Sequence, residues 1–338
     1  MKRVSLKDIA EMAGVSPSTV SLVLNGKAKE MRISDILAKN IQKLAKKAGY
    51  QPNQVAVSLR TGKSKILGLV VESISGNFFG SLAKVIEEAA NQHDYRVVYC
   101  STENDSKKGH ELIQMLAHRQ VDGYLVTPTS GMEPDVKWLL DSKHPLVLID
   151  SFFPAIPASH VLVDNAGGVN IGMQHLIDKG YKKIGFITVD LPLIQVLNRA
   201  KGYQETLVKN GIRFNSKLVL KLPYSGDRDE SVNKICEFIK NAKDLDAIFV
   251  ATNYLGIIAL EGVKKLNLTI PEDLAMICFD DHDIFRLYPP GVSVIQQPVT
   301  EIGVTAVELL MSQINKQENS EAPVRLELTP RFLNRNST

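Results

Sequence analysis

Between Leu6 and Asn25 the chain sets hydroxyl, amide and small apolar side chains in a pattern suited to reading DNA rather than breaking a bond. Leu6, Ile9, Ala10 and Ala13 form one apolar stripe at helical spacing, Gly14 interrupts it, and Val15, Val20, Val23 and Leu24 form a second. Ser16 can cap a helix whose first residue is Pro17, where a missing N–H does no harm. Two short helices joined by a glycine turn make a helix-turn-helix, and its second helix fits the major groove. Hydroxyls on that helix can donate or accept at base edges. Ser16, Ser21 and Asn25 suit phosphate oxygens, contacts that position without specifying sequence. Val20 and Val23 are expected in the core of the head.

Other chemistries find little support. Asp280-Asp281-His282-Asp283 invites a metal reading, but four consecutive residues converge poorly on one ion, so no metal and no cofactor is expected. GxxxxGK[ST], GxGxxG and GxSxG are absent from the sequence, which leaves nucleotide hydrolysis, dinucleotide redox and α/β-hydrolase chemistry without a motif. The seven histidines are scattered. Cys100, Cys236 and Cys278 are far apart and set among apolar residues, which suits a reducing cytoplasm and no disulfide. The N-terminus lacks the apolar run of a signal peptide, and no stretch approaches a membrane span. An enzyme is not expected.

The elements that position these residues divide the chain in two. Residues 1–65 carry 13 Lys or Arg against four Asp or Glu, whereas the remaining residues carry 27 against 33. A basic head on an acidic body points to a polyanion partner for the head alone. A third helix is expected from Ser34, as N-cap, to about Lys47, ended by Gly49. Residues 51–64 read as a linker with a short, marginal helix.

From Lys65 strand-like apolar runs alternate with amphipathic helices, which implies parallel sheets covered on both faces. Lys65-Ile-Leu-Gly-Leu-Val-Val resembles Lys183-Ile-Gly-Phe-Ile-Thr-Val, and Val121-Asp-Gly-Tyr-Leu-Val resembles Leu245-Asp-Ala-Ile-Phe-Val. Two similar lobes in sequence imply a cleft between them, at the carboxyl ends of strands. Asp150, after the strand Leu146–Ile149, is one candidate for that cleft. Lobe 1 is expected over about 65–163 and 294–328, lobe 2 over 164–293, with Val292–Gln297 crossing back to the first lobe.

With these residues in place, the chain resembles the LacI/GalR family of bacterial transcription regulators. The resemblance rests on Leu6-Lys-Asp-Ile-Ala, Ala13-Gly-Val-Ser-Pro-Ser-Thr-Val-Ser21, Gly49-Tyr-Gln-Pro-Asn53, Ala56-Val-Ser-Leu59, Val121-Asp-Gly123, Arg199-Ala-Lys-Gly-Tyr203, Ile270-Pro-Glu-Asp273 and Thr329-Pro-Arg-Phe-Leu333. It implies a small all-α helix-turn-helix head (1–50) with a hinge helix (51–64). These join a two-lobed α/β periplasmic-binding-protein-like core with parallel sheets (65–338). It implies a homodimer on pseudo-palindromic operator DNA, and a small effector, a carbohydrate before a purine, bound between the lobes.

Residue by residue, the resemblance implies base reading by Ser18, Thr19 and Leu22, the last offering the apolar contact a thymine methyl takes. Helix capping alone is the alternative for Ser18 and Thr19. Leu6, Asn53, Val55, Ala56 and Arg60 join them on the DNA side. Leu59 takes the position of a wedge that enters the minor groove and unstacks a base step, or else packs on its dimer mate. For the effector, the resemblance implies Asn77, Phe78, Phe79, Arg199, Asn253 and Asp280, with Asp150 and Gln195 beside them and Tyr224 and Asp164 weaker. Core packing is the alternative for Phe79, and pairing across the cleft for Arg199 with Asp280. Leu191–Leu197 carries one polar side chain, Gln195, and so departs from better-known relatives. Two other classes stay open: a soluble sugar-binding protein, and a sugar-processing enzyme with an appended DNA module.

Overall fold

A computed structural model of the protein describes residues 4–50, 57–58, 61–315 and 322–338. The chain divides into two compact units, Met1–Ser64 and Lys65–Thr338.

The first unit is a three-helix head: α1 (Leu6–Ala13), α2 (Pro17–Leu24) and α3 (Asp35–Lys47). Each start is fixed by a serine. Ser5 and Asp8 form a reciprocal capping box, Ser16 accepts from the Thr19 N–H, and Ser34 accepts from the Leu37 N–H. Gly14 stops α1 in the left-handed region at φ 66°, where a Cβ would be strained. Ile9, Val20, Val23 and Ile41 are buried between the helices. Val57, Ser58 and Thr61 are helical, and the Thr61 hydroxyl donates to the Val57 carbonyl at 2.9 Å.

The second unit holds two six-stranded sheets. The first runs β11 (Arg325–Leu328), β5 (Ser159–Val163), β4 (Leu146–Ile149), β3 (Gly123–Val126), β1 (Ile66–Val71), β2 (Arg96–Ser101). The second runs β12 (Arg331–Leu333), β10 (Ser293–Gln296), β9 (Ala275–Phe279), β8 (Ala247–Val250), β6 (Ile184–Val189), β7 (Val219–Leu222). The strand pairs are parallel except β10 with β12. The central strands are buried throughout, as their unbroken apolar sequences require when helices cover both faces. The repeated aspartates do one job in each lobe. Asp122 accepts from the Lys65 N–H at 3.0 Å, and Asp246 accepts from the Lys182 and Lys183 N–H groups at 2.8 and 3.0 Å, so each anchors the start of its lobe's first strand.

Helices α4 (Asn77–Gln92), α5 (Ser106–His118), α6 (Glu133–Asp141) and α12 (Val299–Asn315) cover the first sheet. Helices α7 (Asn165–Asp178), α8 (Ile194–Lys209), α9 (Arg228–Asn241) and α10 (Asn253–Lys265) cover the second, with the short α11 (Asp283–Leu287) after β9. Helices α7 and α8 approach so closely at Gly202 that a Cβ there would lie 2.6 Å from the Ala166 carbonyl oxygen.

The expected lobe boundary needs one correction. Val292–Gln297 does not cross back to the first lobe: Ser293–Gln296 forms β10 inside the second sheet, between β9 and β12. The crossing follows at Gln297–Pro298, and α12 then packs on α4 through Ile302, Ala306 and Leu310 against Leu82 and Ile86. A last crossing, between β11 and β12, returns the chain to the second lobe.

Candidate functional site

On the head, the groups singled out from the sequence gather along α2. Ser16 and Ser18 are exposed, while Thr19, Ser21 and Leu22 are half-buried. The Ser16 and Thr19 hydroxyls lie 2.9 Å apart, and Ser16 Oγ accepts from the Thr19 N–H at 3.1 Å. Ser16 thus caps α2 as expected, and of the two residues for which capping was the alternative, Thr19 joins that cap through its hydroxyl and N–H. The Asn25 amide donates to the Ser21 carbonyl at 2.6 Å and closes the far end of the helix. Leu6 packs against the head's core, and Val20 and Val23 are buried as expected. Asn53, Val55, Ala56, Leu59 and Arg60 lie outside the described residues.

Between the two sheets of the second unit lies a cavity of about 210 Å³. Asn77, Phe78, Phe79, Asp150, Gln195, Arg199, Asn253 and Asp280 all line it. The positions follow from the topology. Asp150 ends β4 in the first lobe, and Asp280 ends β9 in the second. Asn77–Phe79 open α4 after β1, Asn253 opens α10 after β8, and Gln195 and Arg199 sit on the first turns of α8.

Arg199 organises one end of the cavity. It is 4% exposed. Nε donates to Asn165 Oδ1 at 2.7 Å, Nη1 donates to the Ala251 carbonyl at 2.7 Å and lies 3.7 Å from Asp280 Oδ2. The guanidinium carbon stacks 3.8 Å from the centre of the Phe279 ring. Pairing with Asp280 across the cleft was the alternative to a cleft role; the pair forms, but within the second lobe, and both residues line the cleft. Gln297 donates to Asp280 at 2.6 Å, and Gln195 donates across the lobes to Asp150 at 3.0 Å. Burial pushes the Asp150 carboxyl up to about 7; Arg199 opposes this, and the Asp280 and Glu72 charges add to it. Burial raises Asp280 as well, against Arg199 and the Gln297 hydrogen bond. Gln195 Oε1, Gln297 Oε1 and Asn253 Nδ2 are buried with no protein partner.

Phe79 is 8% exposed and belongs to the first lobe's core as well as to the wall, so the packing alternative holds alongside the lining role. Tyr224 is not on the wall. It stands behind Tyr254, in edge contact at 6.3 Å between ring centres, and its hydroxyl donates across the lobes to Glu103 at 3.4 Å. Asp164 is also off the wall: it caps α7 by accepting from the Gly167 N–H at 2.7 Å.

Glu72, Tyr254 and Gln297 were missed in the sequence. Glu72 directly follows β1, and Gln297 directly follows β10, so the rule that pointed to Asp150 reaches both. Burial raises the Glu72 carboxyl above the ordinary range, opposed by hydrogen bonds from Asn104 and Tyr224. The Asp280–Asp283 run scatters its side chains. Asp281 takes a bidentate bond from Arg335 at 2.9 and 2.8 Å, His282 caps α11 by accepting from the Ile284 N–H, and Asp283 pairs with Arg286. Among the described residues no three metal-ligating side chains converge. No described helix is long and apolar enough to cross a membrane.

A model of bacterial regulatory proteins of the lacI family matches residues 5–53, and one of a periplasmic binding protein-like domain matches residues 173–338. The chain is 30% identical over 326 residues to the ribose operon repressor of Haemophilus influenzae, covering 96% of each. It superposes on the cellobiose complex of the transcriptional regulator CelR with a TM-score of 0.74 at 25% identity, over 99% of this chain and 100% of that one. It also shares the fold of the lac repressor dimer bound to operator and the anti-inducer ONPF, with a TM-score of 0.87 at 20% identity, over 100% and 99%.

Proposed function

The chain belongs to the lacI family of bacterial regulatory proteins, and we propose that it is a homodimeric, cytoplasmic repressor of pseudo-palindromic operators. In this reading α2 enters the major groove, and a neutral carbohydrate in the cavity controls operator affinity. The chain is a transcriptional regulator that binds DNA through its head; the dimer, the operator symmetry and the effector are the proposal.

The observation that carries the effector is the polar end of the cavity. A planar guanidinium beside two carboxylates, with two amide oxygens and one amide nitrogen without protein partners, matches the donors and acceptors of vicinal hydroxyls. Phe78 and Phe79 add aromatic surface for a sugar ring. Glu72, Asp150 and Asp280 share the charge of one guanidinium, which leaves it little for a phosphate or carboxylate. A similar regulator binds cellobiose, which favours the same ligand class here.

Ligand control is a population shift. A sugar that bridges the lobes favours one lobe angle, the first lobes move across the dimer interface, and the hinge segments either meet on DNA or part. The test is a thermal-shift screen of the full chain against neutral sugars, sugar phosphates, sugar acids and nucleobases, followed by operator titration with each binder. Neutral sugars that raise the melting temperature and change operator affinity are the expected outcome. Stabilisation by nucleobases or sugar phosphates, with none by neutral sugars, would overturn the carbohydrate assignment.

A further inference from the structure

The third helix of the head carries a charge that base reading by α2 does not use. From Ile36 to Lys47 every residue of α3 is neutral or basic, and Lys39, Lys43, Lys46 and Lys47 are all exposed. At helical spacing these lysines fall within about a third of the circumference. Ala38, Ile41 and Ala45 lie on the opposite side, buried against Ile9 and Ala10 of α1 and Val20 and Val23 of α2. The lysine face therefore points away from both other helices.

This face works against the helix that bears it. Lys39 with Lys43, and Lys43 with Lys47, set like charges at i,i+4, a spacing at which they repel. The macrodipole compensates Lys46 and Lys47 in the last turn but not Lys39 and Lys43. None of the four has an acidic partner among the described residues. Other helices use the same spacing with opposite charges: Lys84 with Glu88 on α4, Lys201 with Glu205 on α8, and Lys234 with Glu230 on α9. A one-signed face leaves its field free for a polyanion. It suits an apolar partner poorly, because Ile36 is the one apolar side chain among the exposed residues of α3.

We propose that the lysine face of α3 is a second, sequence-independent DNA surface, which takes the phosphate backbone of another duplex while α2 holds the operator. A major groove is about 12 Å wide and a helix with its side chains about 10–12 Å across. Helix α2 fills the groove that it reads, and lysines turned away from α2 stay outside that groove. Duplex DNA supplies the closely spaced negative charges that such a row of lysines matches. The head then joins two duplexes. This rests on α2 being the helix that enters the groove.

The experiment uses the full chain and a duplex that it selects from a randomised pool. That duplex is immobilised, saturated with protein, and washed with a labelled random-sequence duplex at rising salt. The parent should capture the second duplex, and capture through four lysines should fall about a hundredfold between about 50 and 200 mM salt. Combining Lys39→Gln, Lys43→Gln, Lys46→Gln and Lys47→Gln should lower capture at least about tenfold and leave affinity for the selected duplex in place. Glutamine is close to lysine in helix propensity, and the like-charge pairs are gone, so this variant should melt no lower than the parent. Arginine at the same four positions should keep the capture. No capture by the parent, or unchanged capture by the glutamine variant, would overturn the inference and leave operator reading by α2 standing. An equal loss of affinity for the selected duplex would also overturn it, by assigning these lysines to the operator. Displacement of the captured duplex by polyglutamate of equal charge would overturn the DNA assignment in favour of an acidic protein. A pool that yields no preferred sequence would remove the reading of α2 and this inference with it.

Discussion

Asp150 and Asp280 are the same residue in two lobes. Each directly follows the third strand of its sheet, β4 or β9, and each sits in the left-handed region, at φ 66° and 71°. Each backbone N–H donates to the neighbouring strand, Asp150 to Val161 at 3.2 Å and Asp280 to Ile295 at 2.8 Å. Each carboxylate accepts from one glutamine amide, Gln195 or Gln297. A left-handed turn outside glycine is strained, and such strain gathers where side chains must be aimed. Here it aims two carboxylates into one cavity from opposite sides.

That burial sets a pH dependence. A carboxyl held at about 7 in the folded protein and near 4 in the unfolded chain is fully stabilised below the unfolded value. Its contribution is lost as pH rises through the folded value. Asp150→Asn, which cannot ionise, should therefore match the parent near pH 4 and exceed it by up to about 4 kcal/mol at pH 8. Urea denaturation at the two pH values measures this, and a difference independent of pH would contradict it.

Arg199→Ala leaves Asp280 buried without its cation and Asn165 Oδ1 without its donor. Breaking a buried pair from one side costs about 3–5 kcal/mol, so the variant should unfold at clearly lower urea and lose its response to effector. Arg199→Lys should recover part of the stability but not the response, because one ammonium cannot make both fork bonds and stack on Phe279. Recovery of the full response by lysine would show that charge alone suffices.

On the head, Ser16 both caps α2 and stands exposed at its start. Ser16→Ala should cost the isolated cap about 1 kcal/mol. Ser16→Asp restores the cap but places a negative charge where DNA phosphate is expected. If Ser16 also contacts phosphate, the aspartate variant melts like the parent yet binds operator far more weakly at low salt. Parent-like DNA binding by the aspartate variant would confine Ser16 to capping.

Leu59, proposed as the minor-groove wedge, gives the cleanest separation of the two ends of the protein. Leu59→Ala should weaken operator binding strongly and leave effector affinity unchanged, because unstacking a base step needs the inserted side chain. Anisotropy titrations on operator DNA and calorimetry with effector read the two arms. Unchanged operator affinity would remove the wedge.

Gly202→Ala probes the contact between α7 and α8. Its Cβ would lie 2.6 Å from a backbone oxygen, which a side-chain rotation cannot relieve. A loss of about 1–3 kcal/mol in urea titrations is expected, and an unchanged midpoint would show that the helices can part freely.

Much of this was legible before any coordinates. Leu146–Ile149 is a strand with the ends the sequence suggests, and the apolar runs in the repeated segments Lys65–Val71, Val121–Val126 and Lys183–Val189 are strands too, because a doubly covered parallel strand is an unbroken apolar run between polar ends. Ser34 begins α3 as its hydroxyl implies. Helix α7 was not legible: Asn-Ala-Gly-Gly-Val-Asn-Ile-Gly carries three glycines, poor helix formers. Two of them, Gly168 and Gly172, are there because Ile295, Phe279 and Phe249 press against them. That is tertiary information, invisible locally. The lobe crossing was misplaced for a related reason, since Val292–Gln297 has the pattern of a core strand and either sheet could claim it. In the cavity, Asp150, Arg199 and Asp280 could be found from strand ends and resemblance. Tyr254 could not, because its place on the wall depends on how α10 rotates against the sheet.

The three crossings between the lobes, among the described residues, lie side by side. The Asp164 N–H donates to the Leu328 carbonyl at 2.9 Å, joining the first crossing to the third. Gln296 is paired with Arg331 across β10 and β12, joining the third to the second. Pro298 and Pro330 stiffen two of the three. Segments laced edge to edge behave as the leaves of one door hinge: they fold about their common line and resist shear and separation. A ligand of any shape that draws Asp150 and Asp280 together must therefore act along one coordinate. Ligand chemistry can then diverge on the cavity wall while the mechanical signal keeps the same direction.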